Sequence, residues 1–215
     1  MILCQVTTTM RLADKNKVFF TSDPHFFHAK IIEYCNRPFS SASEMNEAMV
    51  ERWNEKVPKD GVVFIVGDVS FAKADETVKI LKRLNGRKVL ITGNHDRHLI
   101  SNPANSELRS CFSSIHDLLD LRVDDKERDD GKTDFVLSHY AMRVWNKSHH
   151  GAIQLYGHSH GTLPPIGLQM DVGVDGNNFS PYSYDEVLVK LWKTRGSFKT
   201  VVAEFLVSVA TWILK

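Results

Sequence analysis

Five short apolar runs, each ending almost at once in residues that bind metals or protons, constrain this chain more than any other feature. "VFF" (18–20) leads to Asp23-Pro24-His25, and "VVFIV" (62–66) leads to Gly67-Asp68. "KVLI" (88–91) leads to Gly93-Asn94-His95-Asp96, "FVL" (135–137) to His139, and "IQLY" (153–156) to Gly157-His158-Ser159-His160. The runs are rich in Val, Ile and Phe and have the length of buried strands. Helical patterns lie between them. Met45, Met49, Trp53 and Val57 recur at near-helical spacing and stop before Pro58. Val78, Leu81 and Leu84 share one side of a second helix, with Asp75 expected as its N-cap and Gly86 just past its end. Ser183 and Glu186 form a capping-box pattern ahead of "VLVKLW". "DDKERDDGK" (124–132) predicts a solvated hairpin tip with Asp130-Gly131 at the turn. Strand–helix alternation of this kind predicts an α/β fold.

In open α/β sheets, ligands bind beyond the carboxyl ends of the strands. Asp23 and His25 are two residues apart, as are His158 and His160. In an extended chain such pairs point the same way. In a helix they would stand about 200° apart, given its 3.6-residue turn. Each motif alone has an ordinary explanation. Asp-Pro opens turns, Gly-Asp and Gly-Asn are common loop pairs, and one histidine after a strand is often a satisfied polar group. Five coincidences at equivalent places favour one shared site.

Composition narrows the classes. The chain has 215 residues, enough for one well-filled domain, with 42% hydrophobic and 25% charged residues. A formal net charge of +1 argues against a protein that grips nucleic acid through a basic surface, while leaving room for a nucleotide in a small site. Cys4, Cys35 and Cys111 are far apart and form no CxxC, which predicts a reducing, cytoplasmic setting without a disulfide framework. The opening "MILCQVTTTMRLADKNK" lacks the pattern of a secretory signal, and no run reaches the roughly 18 apolar residues of a membrane span. From 197 to 215, polar positions at steps of three and four predict an amphipathic C-terminal helix. Packing onto the domain is the expected role, with a homodimer contact or a membrane surface as alternatives.

Taken in order, D-x-H, G-D, G-N-H-D, a later single His and G-H-x-H resemble the calcineurin-like metallophosphoesterase family, from about Val18 to about Asp175. "SDPHFFHAKIIEYCNRPF" and "MDVGVDGNNFSPYSYDEV" resemble a small bacterial and phage branch with little beyond the catalytic core. The resemblance implies two facing mixed β-sheets flanked by helices, an α/β sandwich in a single domain, with metals at the strand ends. It implies that Asp23, His25 and His160 hold one divalent metal, that Asn94, His139 and His158 hold a second, and that Asp68 bridges them. A donor set of imidazole, carboxylate and amide oxygen suits Mn²⁺, Fe, Zn²⁺ or Ni²⁺, and manganese is favoured by the family's habit. A hydroxide between the metals is then the nucleophile, His95 the general acid, and Asp96 the acceptor that orients the His95 ring. Arg37 is a candidate bidentate donor to the substrate phosphate, with a salt bridge as the alternative. His28 either faces the pocket or caps its helix. His149 and His150 read as a surface pair, and Trp145 as a packing residue rather than a base-stacking one.

A phosphodiesterase acting on a small or nucleotide-like substrate is the favoured reading. The alternatives are a phosphomonoesterase or phosphoprotein phosphatase, a nuclease, and a non-catalytic protein-binding scaffold. An intact Asn94-His95-Asp96 counts against the scaffold. The near-neutral charge counts against the nuclease.

Overall fold

The computed structural model describes residues 9–164 and 166–192. In chain order the strands are β1 (Thr9–Leu12), β2 (Val18–Thr21), β3 (Val62–Ile65), β4 (Arg87–Ile91), β5 (Ser114–His116), β6 (Leu119–Asp124), β7 (Lys132–Leu137), β8 (Ile153–Tyr156), β9 (Gln169–Asp171) and β10 (Tyr182–Ser183). The helices are α1 (Ala29–Tyr34), α2 (Ala42–Lys56), α3 (Ala74–Arg83), α4 (Arg97–Ser101) and α5 (Ser106–Ser110). Residues 184–192 are helical and are numbered α6. The expected helix over 197–215, and any dimer contact through it, lies outside the described residues. Among the described residues no helix is long and apolar enough to cross a membrane.

The strands form two five-stranded sheets, in the orders β1-β6-β7-β8-β9 and β10-β2-β3-β4-β5. Both are mixed. β2, β3, β4 and β5 run parallel with β10 antiparallel at the edge, while β7, β8 and β9 run parallel with β6 antiparallel to β7. The α/β sandwich expected from the sequence is the architecture observed.

Pleating explains why the strands read as unbroken apolar runs. Successive side chains point to opposite faces, and in this fold both faces of the central strands are covered. Val18, Phe20, Phe64, Val89 and Ile91 point inward and meet Leu121, Phe135, Leu137 and Leu155 of the facing sheet. Their alternates Phe19, Val63, Ile65 and Leu90 point outward, onto Met45, Met49 and Trp53 of α2 and Val78 and Leu81 of α3. The helix-period residues read from the sequence are therefore the ones that seal the outer face.

Helix ends follow local chemistry, with one departure. Ser41 caps α2 by accepting from the Glu44 N–H at 3.2 Å. Ser183 and Glu186 make the reciprocal capping-box bonds, 2.7 Å from the Ser183 N–H to the Glu186 carboxylate and 3.3 Å from the Glu186 N–H to Ser183 Oγ. α3, however, opens after Lys73, so Asp75 is not its N-cap. Asp75 and Glu76 lie in the first turn, where the helix dipole favours their charge. β6 and β7 form the expected hairpin, but through a longer connection over residues 125–131. Its first residue, Asp125, is buried rather than solvated: it accepts from the Tyr184 hydroxyl at 2.8 Å and pairs with Lys15 at 3.2 Å.

Candidate metal centre

All five polar motifs lie at the carboxyl ends of their strands, where the edges of the two sheets meet. β2, β3 and β4 of one sheet deliver Asp23 and His25, Asp68, and Asn94 and His95; β7 and β8 of the other deliver His139, and His158 and His160. Ligand atoms of Asp23, His25 and His160 lie within 4.8 Å of one another, and so do those of Asp68, His139 and His158. Asn94 joins the second group, its Oδ1 3.1 Å from His139 Nε2. Asp68 faces both groups: its Oδ2 is 3.7 Å from His25 Nε2 and 3.5 Å from His139 Nε2.

The paired ligands converge by a different route from the one expected. They do not stand on extended chain. Asp23, His25, Asp68, His158 and His160 all have left-handed backbones, with φ of 55°, 50°, 55°, 65° and 48°. Such conformations are uncommon for residues with a side chain and cost on the order of 1–3 kcal/mol each. The turns beyond the strands, not the pleat, aim these side chains. Backbone bonds between the turns hold them in place, from the Asp23 N–H to Gly67 O at 3.0 Å and from the His25 N–H to Asp68 O at 3.1 Å. Two glycines of the motifs are there for close approach. A Cβ on Gly93 would strike the Asp68 carboxylate, and one on Gly157 would strike Ser22 Oγ and the Asp23 carboxylate.

The donor set fits divalent cations. Asp23 Oδ1 and His25 Nε2 are buried and have no hydrogen-bond partner, an arrangement that is costly unless another group satisfies them. Three histidines have their second ring nitrogen engaged, which leaves Nε2 directed at the centre. His139 Nδ1 is 2.8 Å from Val66 O, His160 Nδ1 is 2.8 Å from Asp175 Oδ2, and His25 Nδ1 is 3.2 Å from His28 Nδ1. Burial, with help from the neighbouring charged groups, pushes His28 down to about 4, so its ring stands neutral behind His25. His28 precedes α1 but makes no side-chain cap bond. Its ring stacks on Phe71 with centroids 3.7 Å apart.

His95 stands at the open side of the centre. Its N–H donates to Asp68 Oδ1 at 2.9 Å, and its Nε2 lies 3.9 Å from Asp68 Oδ2. Asp96 does not orient that ring. Its buried carboxylate accepts instead from the N–H groups of Asp68 (2.8 Å), Val69 (2.8 Å) and Gly93 (2.9 Å). Burial, with the nearby Asp68 charge, holds its carboxyl above the ordinary value, and those donors only partly offset the rise. Asp96 is thus a clamp between the Asp68 turn and the Asn94-His95 turn.

Arg37 also departs from expectation. All five of its N–H donors are used. Nε and Nη2 fork onto Asp175 at 2.8 and 2.9 Å, Nη2 reaches Asp23 O at 2.9 Å, and Nη1 reaches Pro24 O at 3.0 Å and Met45 Sδ at 3.4 Å. No donor is left for a substrate phosphate. A buried guanidinium is stable only when paired, and here the pairing is internal. Sequence reasoning missed its partner, Asp175. His149 and His150 pair with centroids 4.1 Å apart, and Trp145 donates to Ala152 O at 2.9 Å as a packing residue would.

A model of the calcineurin-like phosphoesterases matches residues 16–162. The chain belongs to the calcineurin-like phosphoesterase family. The family is one of metal-dependent phosphoester hydrolases, and the matched span includes every metal-competent motif described above. The chain is 32% identical over 181 residues to the Gene 66 protein of Mycobacterium phage D29, covering 74% of this chain and 88% of that protein. It is 45% identical over 83 residues to the uncharacterized protein MJ1445 of Methanocaldococcus jannaschii, a match spanning 38% of this chain and about half (47%) of that relative's length. The protein of unknown function AQ665 from Aquifex aeolicus shares the fold, with a TM-score of 0.57 at 21% identity over 84% of this chain and 98% of that one.

Proposed function

We propose that this calcineurin-like phosphoesterase hydrolyses phosphodiesters of small or nucleotide-like alcohols with two divalent cations, manganese in the first place. The observation that carries the reading is the position of Asp68, whose single oxygen Oδ2 lies within 3.7 Å of His25 Nε2 and 3.5 Å of His139 Nε2. Asp23, His25 and His160 would hold one cation, Asn94, His139 and His158 the other, and Asp68 would be shared. Bound there, two divalent cations supply Lewis-acid polarisation of the phosphoryl group and an activated water at neutral pH.

The chain's own groups do the rest. The left-handed turns would hold the donors in place around the cations. His95 delivers a proton to the leaving oxygen. Its Nε2 is near Asp68 yet its ring is open to solvent and substrate, which suits an acid rather than a ligand. An alkoxide leaving group needs that proton most, which suits esters of ordinary alcohols. Tyr140, half-exposed at the rim, has its hydroxyl 3.4 Å from Asn94 Oδ1 and its ring against His158, and borders the second group.

The test is direct. Protein stripped with a chelator is reloaded with Mn²⁺, Zn²⁺, Ni²⁺ or Fe²⁺ and assayed on chromogenic mono- and diesters and on dinucleotides. Diester hydrolysis restored best by Mn²⁺ is the expected result. Hydrolysis of monoesters alone, or of neither class with any metal, overturns the reading.

A further inference from the structure

Behind one half of the metal centre lies a buried ion pair. Arg37 and Asp175 are 138 positions apart and meet in a two-pronged contact at 2.8 and 2.9 Å. The Arg37 side chain is fully buried. Its remaining donors grip the backbone oxygens of Asp23 and Pro24, in the turn that carries Asp23 and His25. Asp175 Oδ2, on its other side, accepts from His160 Nδ1 at 2.8 Å. One ion pair therefore touches the supports of all three ligands in the first group, Asp23, His25 and His160. In the second group Asp96 clamps the backbone of the Asp68 and Asn94 turns, but no carboxylate stands behind a histidine ring among the contacts described: behind His139 is the neutral carbonyl of Val66.

We propose that Asp175, held by Arg37, is the positioning residue of His160, and that the pair selectively sets the metal affinity of the Asp23/His25/His160 site. A carboxylate behind a ligating imidazole fixes the tautomer, with hydrogen on Nδ1 and the lone pair on Nε2, and makes that lone pair more basic. Arg37 adds a second effect. By occupying both Asp175 oxygens it keeps that carboxylate from turning into the centre as an extra ligand, so His160 and not Asp175 faces the cation.

The same side chains suggest a rival. Sγ of Cys35, with donor atoms of His160 and Asp175, lies within a 4.8 Å group that could hold a metal of its own. Two facts count against it. Both Asp175 oxygens are already committed to Arg37 and His160. Burial also pushes the Cys35 thiol up, away from the thiolate that a metal needs.

The inference rests on the metal-centre reading, and its test separates the two. Mn²⁺ binding is measured by calorimetry and by electron paramagnetic resonance, without turnover, in the wild-type protein, Asp175→Ala, Asp175→Asn and Arg37→Met/Asp175→Ala. Wild type is expected to bind two ions. Asp175→Ala should weaken one site roughly 10–100-fold, the range seen when such partners are removed, and leave the other within about threefold. Asp175→Asn keeps an acceptor for His160 and should recover part of the loss, which a purely structural role would not require. The double variant removes the charge that Asp175→Ala strands, so it guards against misfolding, and it should show the same one-site loss. Two wild-type sites in every variant, or an equal loss at both sites, overturns this inference alone. A wild-type protein that takes up no Mn²⁺ overturns the function reading and this inference with it.

Discussion

Replacing Asp96 by Asn tests whether this residue is a backbone clamp or the partner of the His95 ring. In the structure its carboxylate accepts three N–H bonds, two at Oδ2 from Asp68 and Gly93 and one at Oδ1 from Val69. An amide of the same shape has one acceptor oxygen. Placed at the Oδ2 position, it keeps two donors satisfied and turns its NH₂ toward the third. A buried donor left without a partner costs about 1–3 kcal/mol. The loss of charge on the two remaining bonds adds to this, while the easier burial of a neutral amide subtracts. A net loss of about 2 kcal/mol follows. For a chain of this length each kcal/mol moves Tm by roughly 2–4 °C, so the expected fall is about 4–8 °C. Asp96→Ala strands all three donors and should cost about 3–5 kcal/mol, a large part of a typical domain's stability. Apo protein is melted by calorimetry, and the loaded enzyme is assayed across pH. A clamp predicts the Tm loss with the acidic and basic limbs of the rate profile unmoved. An unchanged Tm with a shifted limb would return Asp96 to the His95 ring and refute the argument.

Other substitutions probe the rest of the site. His95→Ala should keep two metals and its melting temperature but lose about 10²–10⁴ in kcat on diesters with poor leaving groups; a wild-type rate would exclude it as the acid. Gly157→Ala places a Cβ against Ser22 and the Asp23 carboxylate and should cost about 1–3 kcal/mol by overpacking, with weaker metal uptake seen by calorimetry. Away from the site, burial pushes the Asp125 carboxyl up, but the Tyr184 hydroxyl, the Glu127 N–H and Lys15 outweigh it and hold it below the ordinary value. Its stabilisation is therefore present above an unfolded pKa near 3.9 and lost as pH falls through the lower folded value. Asp125→Asn should lower Tm at pH 7, and the gap to wild type should close in acid; a gap that stays constant down to pH 2 would contradict this sign.

Much of the architecture could be read before any coordinates. Val18–Phe20, Val62–Val66 and Val89–Ile91 are apolar without a break because both faces of their sheet are covered, and that pattern survives in sequence. Met45, Met49 and Trp53 mark the covering helix for the same reason. Edge strands were not legible: β1, "TMRL", is half-exposed and alternates too briefly to stand out. That these polar residues gather at the strand ends could be read, but not how they are aimed. Left-handed φ at Asp23 or His160 is imposed by contacts between turns and leaves no local signature. The roles of Arg37 and Asp96 went astray for a related reason. A charged residue beside a motif suggests substrate or catalysis, whereas burial turned both inward, onto Asp175 in one case and three backbone N–H groups in the other. Asp175 sat within "VGVD", and only the fold brings it to His160.

The account stands on one shared carboxylate between two groups of ligands, and Mn²⁺ binding followed by electron paramagnetic resonance tests it most directly. Two ions per chain with a spin-coupled spectrum, replaced by uncoupled signals in Asp68→Ala, is the predicted result. One ion, none, or two magnetically isolated ions in the wild-type protein would contradict it.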